Sequence, residues 1–313
     1  MRLTAFLLTS VALISVTGAA CRRGASREEP APGNNPGNAN NANGTSAAGS
    51  SLDKNGAADA SATFKKVILT GAKHLEQLKA QLGPGGTTLM LKINRVDLKH
   101  IRTNETLLVA DGAQSLLSCS PFPVSADSAR AFPKLIIVSR AIQAFGAYEA
   151  GELVLWGPTS TGKKATPTPE GLFFANWKAT RTTSTVNDEW VLNWCVNLDS
   201  AEGVSMHEYE LPGYPASHSC VRLMEEDARW IYNWVDQWIV SKDGGKVLAR
   251  GTPVIIFGDY AYKKTPPWKL LTEEPSAGII SPSALEAITR RHESTINESR
   301  RERELLLQQQ LVK

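Results

Sequence analysis

From Phe64 through Leu82 apolar side chains recur at helical spacing, and Gly83-Pro84-Gly85-Gly86 is the kind of sequence that stops a helix. Two further apolar runs follow, Leu89 to Ile93 and Thr106 to Val109. From Pro133 to Tyr262 the pattern changes. Leu135-Ile136-Ile137-Val138, Glu152 to Trp156, Glu189 to Val196, Val204 to Tyr209 and Val254 to Phe257 read as short strands separated by Gly and Pro turns. That pattern predicts a mainly β domain, a barrel or a sandwich. One helix interrupts it, Glu225 to Val240, with Glu225, Glu226 and Asp227 at its positive end. Trp230, Trp234 and Trp238 fall at i, i+4 and i+8 of that helix, as a core-facing stripe should; a sugar-stacking platform is the other reading. Ser281-Pro282-Ser283 then opens a charged helical tail, read as solvated or as a partner surface.

The first residues behave differently. Residues 3–20 carry no charge, follow Arg2 and end in small residues before Cys21, the arrangement of an export signal. The apolar part is shorter than the roughly 20 residues a membrane span needs. Gly18-Ala19-Ala20-Cys21 resembles a bacterial lipobox, which would make Cys21 a lipidated residue anchoring the chain; simple cleavage after Ala20 is the alternative. Residues 24–62 are low-complexity, with too little apolar surface to offset their ordering entropy, and read as a tether. The expected organisation is therefore signal 1–20, tether 21–62, a small α+β module 63–128, a β-rich catalytic domain 129–268 and the helical tail 269–313.

Charge and composition mainly exclude. The 313 residues carry 34 Lys and Arg against 31 Asp and Glu, so there is no basic excess to suggest nucleic acid. Gly157-Pro-Thr-Ser-Thr-Gly162-Lys163-Lys164 nearly spells a phosphate loop. Lys164 stands where a magnesium-holding hydroxyl belongs, and Thr166-Pro167-Thr168-Pro169 forbids an immediate helix, so nucleotide binding is rejected. Nothing in the sequence calls for a cofactor. With 4 Cys there is no disulfide scaffold, although Cys119 could pair with Cys195 in an oxidising compartment.

The chemistry concentrates at Met206-His207-Glu208-Tyr209 and at Ser217-His218-Ser219-Cys220-Val221-Arg222. A cysteine on a tight small-residue turn can be exposed, its turn amides can stabilise an oxyanion, and a nearby imidazole would lower its pKa. A zinc site with Cys195 is an alternative, but the spacing matches no familiar zinc pattern, so no metal is expected. The run Ser-His-Ser-Cys-Val-Arg closely resembles the (Ser/Thr)-His-Gly-Cys-(apolar)-(Arg/Asn) signature of the YkuD-type L,D-transpeptidases. His207, the Thr168-Pro169-Glu170-Gly171 turn and the signal-plus-tether layout fit the same family, over roughly Pro133 to Tyr262.

That resemblance implies a cell-envelope enzyme acting on peptidoglycan stem peptides. Cys220 would be the nucleophile and His207 the general base. The amides of His218, Ser219 and Cys220 would form the oxyanion site, the His218 side chain would hold the motif, and Arg222 with Ser217 would meet the substrate. Two departures from the family pattern stand out: Ser219 where Gly is usual, and a short His207-to-Cys220 segment in which Glu208 follows the His. An L,D-carboxypeptidase would use the same residues, and a non-catalytic wall-binding scaffold could keep the fold. Lys92 to Asp111 resembles half of a LysM-type wall-binding repeat; a plain packing module is the rival.

Overall fold

The computed structural model describes residues 62–112, 115–184 and 189–311. The expected export signal, Cys21 and nearly all of the tether lie outside those ranges. The first strand, β1 (Phe64–Ile68), corrects the helix expected to begin at Phe64. Helix α1 (Ala72–Asn94) follows, and β2 (Thr106–Ala110) returns antiparallel to β1. The long-range pairing of Phe64 with Ala110 overrides the local helical spacing. Gly83 does interrupt α1 as expected, with a kink between two helical stretches. Gly83 takes φ 66°, ψ 179°, and the helix restarts with Pro84 in its first turn, where a missing N–H costs nothing. Leu89 to Ile93 therefore lie within α1.

The β-rich part contains β3 (Lys134–Ser139), β4 (Ala144–Glu149), β5 (Glu152–Pro158), β6 (Gly171–Phe174), β7 (Lys178–Thr183), β8 (Val191–Asp199), β9 (Val204–Glu208) and β10 (Val221–Leu223). Helix α2 (Glu225–Trp234), β11 (Ile239–Val240), β12 (Val247–Ala249), β13 (Pro253–Phe257) and helix α3 (Pro282–Leu311) complete it. Two sheets dominate, ordered β5-β4-β3-β13-β6 and β10-β9-β8-β7. The fold is mainly β and sandwich-like, and neither sheet closes into a barrel.

The apolar run Leu135–Val138 is explained by burial on both faces of the five-stranded sheet. Leu135 and Ile137 enter one core with Trp156, Trp268 and the inner face of α3; Ile136 and Val138 enter the other, against β8, β9, β10 and α2. Helix α2 ends at Trp234, short of the expected Val240. Its buried stripe is Asp227, Ala228 and Ile231, with Val235 just beyond, while Trp230 and Trp234 stack on each other half-buried. The tryptophan spacing thus marks the flank of the helix and not its core face. The tail is likewise only partly solvated: Leu285, Thr289, Ile296 and Ser299 are buried against the β-rich core.

The small module is docked firmly. Lys92 of α1 is 2% exposed and pairs with the equally buried Asp227 of α2. Asp97 and Leu211 are joined by two bonds, Asp97 N–H to Leu211 O at 3.0 Å and Leu211 N–H to the Asp97 carboxylate at 2.7 Å. Arg95, 2% exposed, donates to the Ile142 carbonyl at 3.1 Å and lies over the Trp156 and Trp268 rings. Among the described residues, no helix is long and apolar enough to cross a membrane. No disulfide joins Cys119 and Cys195.

Candidate active site

Strand alternation builds the site. Val196 and Leu198 of β8, Val204 and Met206 of β9, and Val221 and Leu223 of β10 face the core. The intervening residues, Cys195 and Asn197, Ser205 and His207, with Cys220 and Arg222, therefore emerge on the opposite face. They line one cleft together with Trp177, Trp190, Ser217 and His218. A bulge between Asn193 and Val196, with Trp194 at φ 52°, re-phases β8 so that Leu192 also reaches the cleft. The parallel pairing of β9 and β10 sets Arg222 beside His207.

The Cys220 sulfur lies 3.4 Å from the Gly203 carbonyl, and the Ser205 backbone N–H is directed at it. Burial pushes the thiol above its ordinary value, against the opposing pull of that N–H and of Arg222. This corrects the expectation of a depressed thiol. His207 cannot supply the missing positive charge, because burial, aided by the Arg222 charge and opposed by the Glu208 carbonyl, lowers its pKa to about 4. Only 3% exposed, its ring donates Nδ1–H to Glu208 O at 2.8 Å and so keeps its lone pair on Nε2. The resting site is a neutral thiol and a neutral imidazole with an acceptor nitrogen. Burial lowers the pKa of Arg222, whose guanidinium lies 4.4 Å over the Tyr209 ring.

The loop once compared with a phosphate loop forms a strap along the cysteine turn. Ser160 and Arg222 exchange both backbone bonds at 3.1 Å, and Ala216 and Ser217 N–H both donate to Thr161 O at 2.9 and 3.1 Å. Lys163 N–H and the Thr166 hydroxyl donate to Ser217 O at 3.0 and 3.2 Å. The Ser219 N–H, expected in the oxyanion set, donates to Thr166 O at 3.1 Å. Ser217, expected at the substrate, lines the cleft and donates its hydroxyl to the Cys220 carbonyl at 2.5 Å. A Cβ on Gly162 would come within 2.2 Å of Thr166 O, so this glycine allows the strap its tight return. Ser219 itself sits at φ 79°, a left-handed conformation uncommon for a residue with a Cβ. Among the described residues, no cluster of three His, Cys, Asp or Glu side chains is arranged to hold a metal.

Residues 133–256 match the YkuD family, the L,D-transpeptidase catalytic domain. This stretch is a YkuD domain. Solved structures with partial similarity include an L,D-transpeptidase from Mycobacterium smegmatis, at 22% identity and TM-score 0.32, covering 40% of this chain and 59% of that one. One from Stackebrandtia nassauensis has 21% identity and TM-score 0.34, covering 41% of this chain and 57% of that one. An Enterococcus faecium L,D-transpeptidase mutant has 22% identity and TM-score 0.32, covering 40% and 50%. The chain thus spans between half and three-fifths of the length of these proteins. No curated protein sequence matches it.

The sequence singles out the cysteine motif but not the residues that support it in the YkuD domain. Lys163, Thr166 and Thr168 were dismissed with the phosphate loop, and only the Thr168-Pro169-Glu170-Gly171 turn pointed to their neighbourhood. The Thr168 hydroxyl holds Gly162 N–H at 2.8 Å and donates to Cys220 O at 3.3 Å.

Proposed function

We propose that this chain is an exported L,D-transpeptidase of the bacterial cell envelope that uses Cys220 as nucleophile on peptidoglycan stem tetrapeptides. The observation that carries the reading is a thiol and a lone-pair-bearing imidazole lining one cleft of a YkuD domain. His207 Nε2 takes the Cys220 proton as sulfur attacks the carbonyl carbon of the third stem residue. The amides of Cys220 and His218 bear the oxyanion. The C–N bond to D-Ala then breaks, the D-Ala amine receives the proton from His207, and a thioester remains. An acceptor amine attacks the thioester, gives a proton to His207, and displaces the thiolate, which recovers its proton. Arg222 holds a substrate carboxylate. No cofactor enters these steps. Lipidation at Cys21 and wall binding by the small module belong to the same reading, and together they would place the enzyme between membrane and wall.

The test is mass spectrometry of purified tetrapeptide muropeptide incubated with the chain, wild type beside Cys220→Ala. Loss of D-Ala with formation of a cross-linked dimer, in wild type alone, is expected. A tripeptide without dimer would mean that water resolves the thioester, making the chain an L,D-carboxypeptidase. No turnover by a folded wild type would move the assignment to a wall-binding scaffold.

A further inference from the structure

The proposed mechanism uses the strap only as a support, yet one of its side chains reaches the cysteine motif. Lys163 Nζ lies 2.9 Å from His218 Nε2. An ammonium group only donates, so Nε2 must accept, and a neutral imidazole must then carry its proton on Nδ1. The ring is neutral, because burial and the positive charges of Lys163 and Arg222 hold His218 below the ordinary histidine value. Its Nδ1 is buried without a hydrogen-bond partner, and Trp190 packs against the ring at 5.2 Å. The lone pair of His218 is therefore spent on Lys163. His207 is arranged differently: Nδ1–H is bound to Glu208 O and Nε2 is left for the reaction.

Two histidines flank one thiol, and a neighbouring lysine distinguishes them. We propose that Lys163 is a positioning residue that ties up the lone pair of His218, holds it as a non-basic Nδ1–H imidazole, and so leaves proton transfer to His207 alone. The kinetic consequence rests on the transpeptidase reading; the tautomer does not. Because Lys163 also ties its own N–H to Ser217 O at 3.0 Å, its backbone is fixed by the strap and its ammonium arrives from a set position.

The experiment records long-range proton–nitrogen spectra of the full chain labelled with nitrogen-15 at histidine, with His218→Gln assigning the resonance. Wild type at about pH 7 should show His218 protonated at Nδ1 with a pyridine-type Nε2. Lys163→Met should shift the ring toward the Nε2–H form, and Lys163→Arg, also a pure donor, should keep the wild-type pattern. In the muropeptide assay Lys163→Met should lower kcat on the order of tenfold with KM nearly unchanged, and Lys163→Arg should recover most of it. A wild-type His218 carrying its proton on Nε2, or a spectrum unaltered by Lys163→Met, would overturn the proposal. The expected tautomers with unchanged kcat in Lys163→Met would overturn its positioning role. Expected tautomers in a wild type that transfers no acyl group would instead overturn the transpeptidase reading and keep the pairing.

Discussion

Replacing Ser219 by glycine should leave the protein more stable than replacing it by alanine. Ser219 occupies φ 79°, where a Cβ crowds the backbone at a cost of about 1–2 kcal/mol that glycine does not incur. Glycine returns roughly 0.5–1 kcal/mol of that through the greater freedom of its unfolded chain. Both substitutions lose the hydroxyl, which donates to the His218 carbonyl and, at 3.3 Å, to Glu202 O. The hydroxyl loss therefore cancels in the comparison, and backbone strain separates the two variants. The glycine variant should exceed the alanine variant by about 1 kcal/mol, or roughly 2–4 °C in Tm for a domain of this size. Differential scanning calorimetry of wild type, Ser219→Gly and Ser219→Ala measures it. A glycine variant no more stable than the alanine variant would refute the strain argument, and with it the reading of Ser219 as a costly departure from the family's Gly.

Other consequences are equally direct. With His207 lowered to about 4 and the Cys220 thiol raised, kcat/KM should hold nearly constant from about pH 5 to about 9 and fall only as His207 gains a proton near 4. A descending limb centred near about 6.5 would show that His207 is not the base, or is not buried as described. Lys92→Met should cost about 3–5 kcal/mol in urea unfolding, because Asp227 would be left as an unpaired buried carboxylate, while Lys92→Met with Asp227→Asn should recover most of it. Burial, opposed by Lys92, raises Asp227 to about 6. A raised acid favours the folded state most at low pH, so its contribution is lost as pH climbs from about 4 through about 6, and Asp227→Asn should remove that slope. Asp97→Ala should leave the Leu211 N–H, at 2.7 Å, and the His100 N–H, at 3.1 Å, without their carboxylate partner, and hydrogen exchange at those two amides should accelerate while the core strands stay protected.

How far a sequence discloses such a site depends on whether the information lies in side chains or in backbone pairing. His207, Cys220 and Arg222 were legible through the cysteine turn, the nearby histidine and the resemblance to the YkuD signature; the structure adds that Val204, Met206, Val221 and Leu223 alternate with them, which sends the polar set to the face opposite the core. The helix expected at Phe64 failed because the competing information was remote: a β-partner more than forty positions away, invisible to local spacing. Gly83 interrupts the helix as its sequence suggests, but the restart was not legible, because Pro84 also suits the first turn of a new helical stretch.

The strap is a stronger case of the same limit. Its hold on the cysteine turn is largely backbone to backbone, and a backbone amide has no letter of its own in a sequence. What the letters do record are the exceptions, Gly162 where no Cβ fits and Thr168 where a hydroxyl bridges the strap to Cys220. Read that way, Gly-Lys-Lys-Ala-Thr-Pro-Thr is a support for a nucleophile turn that resembles a phosphate loop for a shared physical reason. Both need a glycine for a tight return and a lysine aimed at the reaction centre. In this chain the lysine meets an imidazole nitrogen where a phosphate loop would present a phosphate.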